Sequence, residues 1–131
     1  MLQEGLYSLL ISTSSITDLT GTRGIFSGKA PETPVLPIVV LEQIGGEGIP
    51  VFEGISALRK ARLTFSCYAN SNQGVKQLMK AVRDLLDGYK GVLPDGTDVD
   101  LGRVILETGS FEFAPFIYRA PLDIEFWFRE P

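Results

Sequence analysis

Histidine is absent from this chain and cysteine occurs once. Without histidine, Ser-His-Asp and Cys-His nucleophile systems have no general base. Zinc sites ordinarily combine cysteine with histidine, and a lone Cys67 builds none. Cys67 cannot close an internal disulfide either, which suits a reducing compartment or a particle interior. No apolar run approaches the roughly 18 residues that cross a bilayer. The opening Met1-Leu2-Gln3-Glu4 carries acid where a secretion signal carries base. A soluble protein made in a cytoplasm, with no membrane partner, is expected. Basic charge is also scarce: 12 Lys and Arg against 16 Asp and Glu leave a net −4. Nucleic-acid affinity comes largely from Lys and Arg displacing counterions, so no specific nucleic-acid partner is expected. The densest basic patch, Arg59, Lys60 and Arg62, reads as a solvated stretch of strand.

The remaining candidate chemistries fail on context. Gly45-Gly46-Glu47-Gly48 follows a strand, as a phosphate loop would, but Pro50 and an extended stretch follow in place of a helix. A flexible loop is the reading there. Asp95, Asp98 and Asp100 lack the glycine and the terminal glutamate of a calcium loop. Asp123 and Glu125 stand about 7 Å apart on one strand face, and nearby arginines make them ionised surface carboxylates. Cys67 falls on the apolar side of its strand, as a buried, inert thiol. The sequence therefore offers no catalytic, cofactor-binding or metal-ligating set, and an enzyme is not expected.

What is present is a folded chain. Its 131 residues, 44% hydrophobic and 21% charged, suit one domain with a core that needs neither disulfide nor metal. Leu2, Leu6, Leu9 and Leu10 share one face and predict a helix over about residues 2–12, ended by the run Ile11-Ser12-Thr13-Ser14-Ser15. A short further turn holds Ile16 and Leu19 and stops at Gly21. Pro31, Pro34 and Pro37 make residues 24–37 an extended connection anchored by Ile25 and Phe26. Ile38-Val39-Val40-Leu41 reads as a strand buried in part on both faces, and residues 51–58 as a short edge strand or irregular.

Leu63, Phe65, Cys67 and Ala69 alternate with polar neighbours in a strand over residues 61–69. Asn70, Ser71 and Asn72 are candidate N-caps for a helix over 74–86, whose stripe is Val75, Leu78, Met79, Val82, Leu85, Leu86 and Tyr89, with Gly88 at its end. Pro94-Asp95-Gly96-Thr97 predicts a tight turn before a strand over 99–108. The last strand, 122–129, sets Leu122, Ile124, Phe126 and Phe128 against Asp123, Glu125, Trp127 and Arg129. The expected fold is α+β: a mostly antiparallel sheet of four or five strands with two helices packed on one face. The second face carries Arg62, Thr64, Ser66 and Tyr68, Arg103 and Glu107, then Asp123, Glu125 and Arg129, with opposed charges able to pair across strands.

The aromatics are left over. Phe111, Phe113, Phe116 and Tyr118 crowd a loop interrupted by Pro115, and such a loop cannot bury them all. One or two are expected on the core. The rest, with Ile49, Val51 and Phe52 of the glycine-rich loop and Trp127 of the polar face, read as an association surface. The candidate interface is thus Ile49, Val51, Phe52, Phe111, Phe113, Phe116 and Trp127.

The order and spacing of these segments carry a resemblance over nearly the whole chain. It rests on the short helix with Leu6 and Leu9-Leu10, then Ile25-Phe26-Ser27-Gly28-Lys29-Ala30-Pro31 and Leu36-Pro37-Ile38-Val39-Val40. It continues through Phe65-Ser66-Cys67-Tyr68-Ala69, the helix from Val75 to Leu86, Tyr118-Arg119 and residues 122–130. In these the chain resembles the tail-completion, or tail-terminator, proteins of long-tailed bacteriophages and related prophages and gene-transfer agents. The resemblance implies a single tail-terminator-like domain over 1–131 that forms a homo-oligomeric ring, commonly a hexamer, at the head-proximal end of the tail tube. The implied partners are further copies of itself, the tail tube protein and the head-tail connector or stopper. The ring ends tube polymerisation and joins tail to head, in a virion assembled in the bacterial cytoplasm. An acidic lumen lets DNA pass without adhering. Two readings stand beside this one: another neck, head-closure or minor tail protein, and a small ligand-binding α+β domain with the aromatic loop as lid.

Overall fold

The computed structural model describes residues 2–32, 34–51 and 54–130, without side chains at 47–57. Leu2, Leu6 and Leu10 recur at a spacing of four and line the buried side of helix α1 (Leu2–Ile11). Thr13 begins a second helix, α2 (Ser14–Thr20), which buries Ile16 and ends where the Gly21 N–H donates to the Thr17 carbonyl. Gly21 has φ +72, a left-handed geometry that suits glycine at a helix end. Helix α3 (Asn72–Leu86) starts where the Ser71 hydroxyl accepts the Gly74 N–H at 3.0 Å. Its stripe of Val75, Leu78, Met79, Val82 and Leu86 is buried, as the 3.6-residue period predicts.

Seven strands form one curled sheet: β1 (Ile25–Ser27), β2 (Ile38–Val51), β3 (Gly54–Ala69), β4 (Gly91–Val92), β5 (Asp98–Glu107), β6 (Phe111–Ala114) and β7 (Ile117–Arg129). The order is β1-β2-β3-β7-β5-β4, with β6 pairing β7 beyond the end of β5. Among the described residues only the β1–β2 pairing is parallel. The three helices lie on one face, where Leu63, Phe65, Cys67, Leu122, Ile124 and Phe126 meet Leu6, Leu10, Ile16 and the α3 stripe in a single core. Phe65 and Phe126 meet edge to face at 6.4 Å. Gln3 of α1 clasps the edge of β2: its Nε2 donates to the Ser27 hydroxyl at 2.7 Å and its Oε1 accepts the Gln43 N–H at 3.0 Å.

The fold class is therefore α+β and mostly antiparallel, with more elements than the sequence predicts: seven strands and three α-helices. The added strands β1, β4 and β6 are two to four residues long, too short for a period-2 signal. The larger correction concerns residues 45–58. In place of a flexible loop, and of a short edge strand or irregular stretch over 51–58, β2 and β3 run on as one hairpin arm, paired from Gly45 with Arg62 down to Val51 with Gly54. Bulges after Gln43 and Gly48 absorb the irregularity. Pro50 fits because β1 covers only Val39–Leu41, so its missing N–H falls on an uncovered edge among the described residues.

The end of α3 shows one obligatory glycine. The Gly88 N–H donates to the Gly102 carbonyl at 2.7 Å, and the Gly102 N–H returns to Tyr89 at 2.9 Å. A Cβ on Gly102 would stand 2.6 Å from the Leu86 carbonyl oxygen and 2.9 Å from the Phe126 ring. Between β4 and β5 the expected turn is present, with Gly96 at φ +96 and the Asp95 carboxylate accepting the Thr97 N–H at 3.0 Å. Burial acts to raise the Asp95 carboxyl, the Thr97 N–H acts against it, and the net position is below the usual carboxylate range.

Candidate assembly surfaces

The face of the sheet opposite the helices carries a polar spine. Cross-strand registers align Lys60 with Trp127, Arg62 with Glu125, Thr64 with Asp123, Ser66 with Pro121 and Tyr68 with Arg119. Arg62 pairs with Asp123, whose other oxygen accepts the Thr64 hydroxyl at 2.8 Å. Glu125 draws Arg103 at 3.6 Å and Lys60 at 4.0 Å. Arg129 reaches Asp100 at 2.7 Å. The expected pairing of opposed charges is present. Glu107 is the exception: a bulge after Val104 shifts the phase of β5, sets Glu107 opposite Leu122, and lets it pair with Arg83 of α3 at 2.6 Å.

The four described candidate contact residues, Phe111, Phe113, Phe116 and Trp127, do not form one surface. Phe111 pairs opposite Arg119 at the start of β7, and Phe113 meets Tyr68 edge to face at 5.8 Å. The Arg119 guanidinium lies 5.8 Å from the Tyr68 ring and 6.0 Å from that of Phe113, and it donates to the Ser66 hydroxyl at 3.1 Å. Phe116 occupies the two-residue turn between Ala114 and Ile117. It is 81% exposed and held at φ +62, a left-handed position that ordinarily takes Gly or Asn. No phenylalanine of this trio enters the core; Tyr118 alone of the aromatic group packs against it.

Trp127 sits near the other end of β7, half-buried, with the Arg103 guanidinium 5.5 Å over its ring. The arm leaves the sheet at that same end, because the β3–β7 pairing stops at Arg59 with Phe128. Ile49 and Val51 lie on its backbone, though their side chains are outside the described residues, as is Phe52 altogether. Phe111 and Phe113 thus stand at one end of the face and Trp127 at the other, about 26 Å apart at roughly 3.3 Å per residue.

Sequence reasoning missed a groove beside Phe113. Residues 28–32 and 34–36 pass over the polar face there and border about 430 Å³ above Ile38, Val40, Tyr68 and Ile117, with Arg119 inside. Ile38 is 2% exposed yet belongs to no part of the helix-side core. The prolines signalled an extended connection, but neither its crossing of this face nor the space beneath it. Cys67 is buried on the helix side, where desolvation pushes its thiol from the usual 9.0 up to about 12. Among the described residues no cluster of three or more acidic, cysteine or histidine side chains is placed to hold a metal ion. No described helix is long and apolar enough to cross a membrane.

A helix-backed curled sheet with aromatic-bearing patches at both ends of its open face defines the class: a small α+β protein whose prominent features are surfaces. Residues 4–112 match the family model described as Tail completion protein gp17, and the chain belongs to that family of phage tail structural proteins. Its place is the tail or neck of a virion. Among solved structures it is similar to a chain in the virion of a native gene transfer agent particle, at a TM-score of 0.80 and 18% identity. The match covers 98% of this chain and 95% of that one, a likeness of fold. No curated protein matches the chain.

Proposed function

We propose that residues 1–131 act as one unit that assembles into a ring of about six copies on the head-proximal end of the tail tube, stopping its growth and presenting a seat for the head connector. The observation that carries this reading is the placing of aromatic residues at opposite ends of one sheet face: exposed Phe111, Phe113 and Phe116 at one end and half-buried Trp127 at the other. A contact between two unlike patches is heterologous, and it closes into a ring when its rotation allows. Membership of the tail completion family supplies the setting. Net acidity disfavours adhesion of DNA passing through the ring.

Mass measurement across concentrations, together with micrographs of a strain lacking the protein, tests the reading. A particle of about six chains and abnormally long or headless tails are expected. Tubes of normal length that fail to join filled heads would move the role to head closure. A monomer at every concentration that binds a small molecule would overturn the proposal.

A further inference from the structure

The extended connection reads Pro31-Glu32-Thr33-Pro34-Val35, with its prolines three residues apart, a spacing that suits polyproline II geometry. Pro31, Glu32 and Val35 are exposed, Val35 to 87%. Proline has no N–H to give a sheet edge, so a segment of this kind binds through its side chains, on apolar surfaces that carry aromatics. Such a surface lies on the β7–β5 side of the open face. Leu101 pairs opposite Trp127 and Leu106 opposite Asp123, and both leucines are exposed. Between them Arg103 lies over the indole, with its side chain 60% exposed and the Glu125 carboxylate no nearer than 3.6 Å.

We infer that the proline-rich segment of a second copy of the chain docks on this surface of Trp127, Leu101 and Leu106. The two are complementary in charge. The segment brings one carboxylate, Glu32, among apolar residues, and the surface brings one loosely held guanidinium, Arg103, among apolar residues. Exposed Lys29 and Glu42 beside the segment offset one another. Glu32 meeting Arg103 forms a charge-assisted pair, while Pro31, Pro34 and Val35 cover the indole and the two leucines. A chain cannot make this contact with itself. Its own segment lies above Ile38 and Val40, and Val40 pairs opposite Ser66, six residues along β3 from Lys60, the partner of Trp127. That separation is about 20 Å. Segment and surface are unlike, so joining one to the next repeats head to tail. The contact rests on the ring proposal and names the joint that closes the ring.

Cross-linking of single-cysteine additions tests it, with Cys67 silent because its thiol is buried. Val35→Cys and Leu101→Cys chains are mixed dilute, concentrated to where the wild type forms rings, and oxidised. A disulfide-linked dimer in the mixture, and in neither variant alone, is the expected result. Leu101→Cys chains that link to one another would overturn the inference in favour of a symmetric contact. Rings that persist without any cross-link in the mixture would overturn it and leave the ring proposal standing. A wild type that never self-associates would remove both. Charge exchange gives a second readout. Glu32→Arg and Arg103→Glu should each raise the concentration needed for assembly about tenfold, and the two in one chain should restore it, with an unchanged far-ultraviolet circular dichroism spectrum throughout. Single variants that assemble like the wild type, or a double variant no better than either, would count against the pair. So would Val35→Cys linking to the tube protein in place of another copy.

Discussion

The two faces of the sheet are built from the same strands and obey different rules. The helix side places Leu63, Phe65, Cys67, Leu122, Ile124 and Phe126 in a core where each is fully buried. The open side places Arg62, Thr64, Asp123 and Glu125 in a ladder of ion pairs and keeps its aromatics at the two ends. One face specifies the fold, since buried apolar area is the dominant favourable term. The other contributes little to stability, because partly exposed ion pairs are worth at most about 1 kcal/mol. Change there is tolerated by the fold and felt by whatever meets the face.

The sharpest way to test the contrast is to damage each face in turn. Phe126→Ala empties a fully buried site against Phe65, and a loss of about 3–5 kcal/mol in urea unfolding is expected. Gly102→Ala drives a methyl into the Leu86 carbonyl and the Phe126 ring, at a cost of about 1–3 kcal/mol by the same measurement. On the open face, Trp127→Ala removes the Arg103 stacking and should cost about 1 kcal/mol or less, while raising the concentration required for assembly. Global unfolding of that variant by circular dichroism would place Trp127 in the core and erase the distinction between the faces.

Phe116→Gly has the opposite sign. It relieves a left-handed phenylalanine and should raise stability by about 1 kcal/mol, yet weaken association, because the exposed ring is gone. A lower urea midpoint would show that the ring supports the monomer. The smallest effect concerns Cys67. Its folded thiol is raised to about 12, so the unfolded chain sheds the proton first. Its contribution is whole below about pH 9 and declines as pH rises toward 12. At pH 8 a thiol reagent should label the protein only after unfolding.

The helix-side face was readable in the sequence for a plain reason: its residues lie in runs long enough for a period to register. The stripe from Val75 to Leu86 and the alternation from Leu122 to Phe128 each repeat several times, and Ser71 marks a boundary. The open face was readable as to sign, since Arg62, Asp123, Arg103 and Glu125 share a phase. It was misread at Glu107 because one bulge reverses that phase. The arm was misread because glycine and proline ordinarily mark a turn, whereas here edge position and bulges accommodate them. The groove had no local signature. Its walls come from residues 28–32, 34–36, 38–42, 66–68 and 113–119, and the pairing of β2, β3 and β7 gathers them.

Pro50 carries one last consequence. A long strand with an uncovered side is a template on which further chains can add indefinitely. Along β2 the bulge after Gln43 turns the ladder aside, and the imide nitrogen of Pro50 offers nothing to a newcomer. Such an arm resists endless sideways stacking into ribbons. Chains of this kind are thereby held back from adding to one another edge to edge without limit.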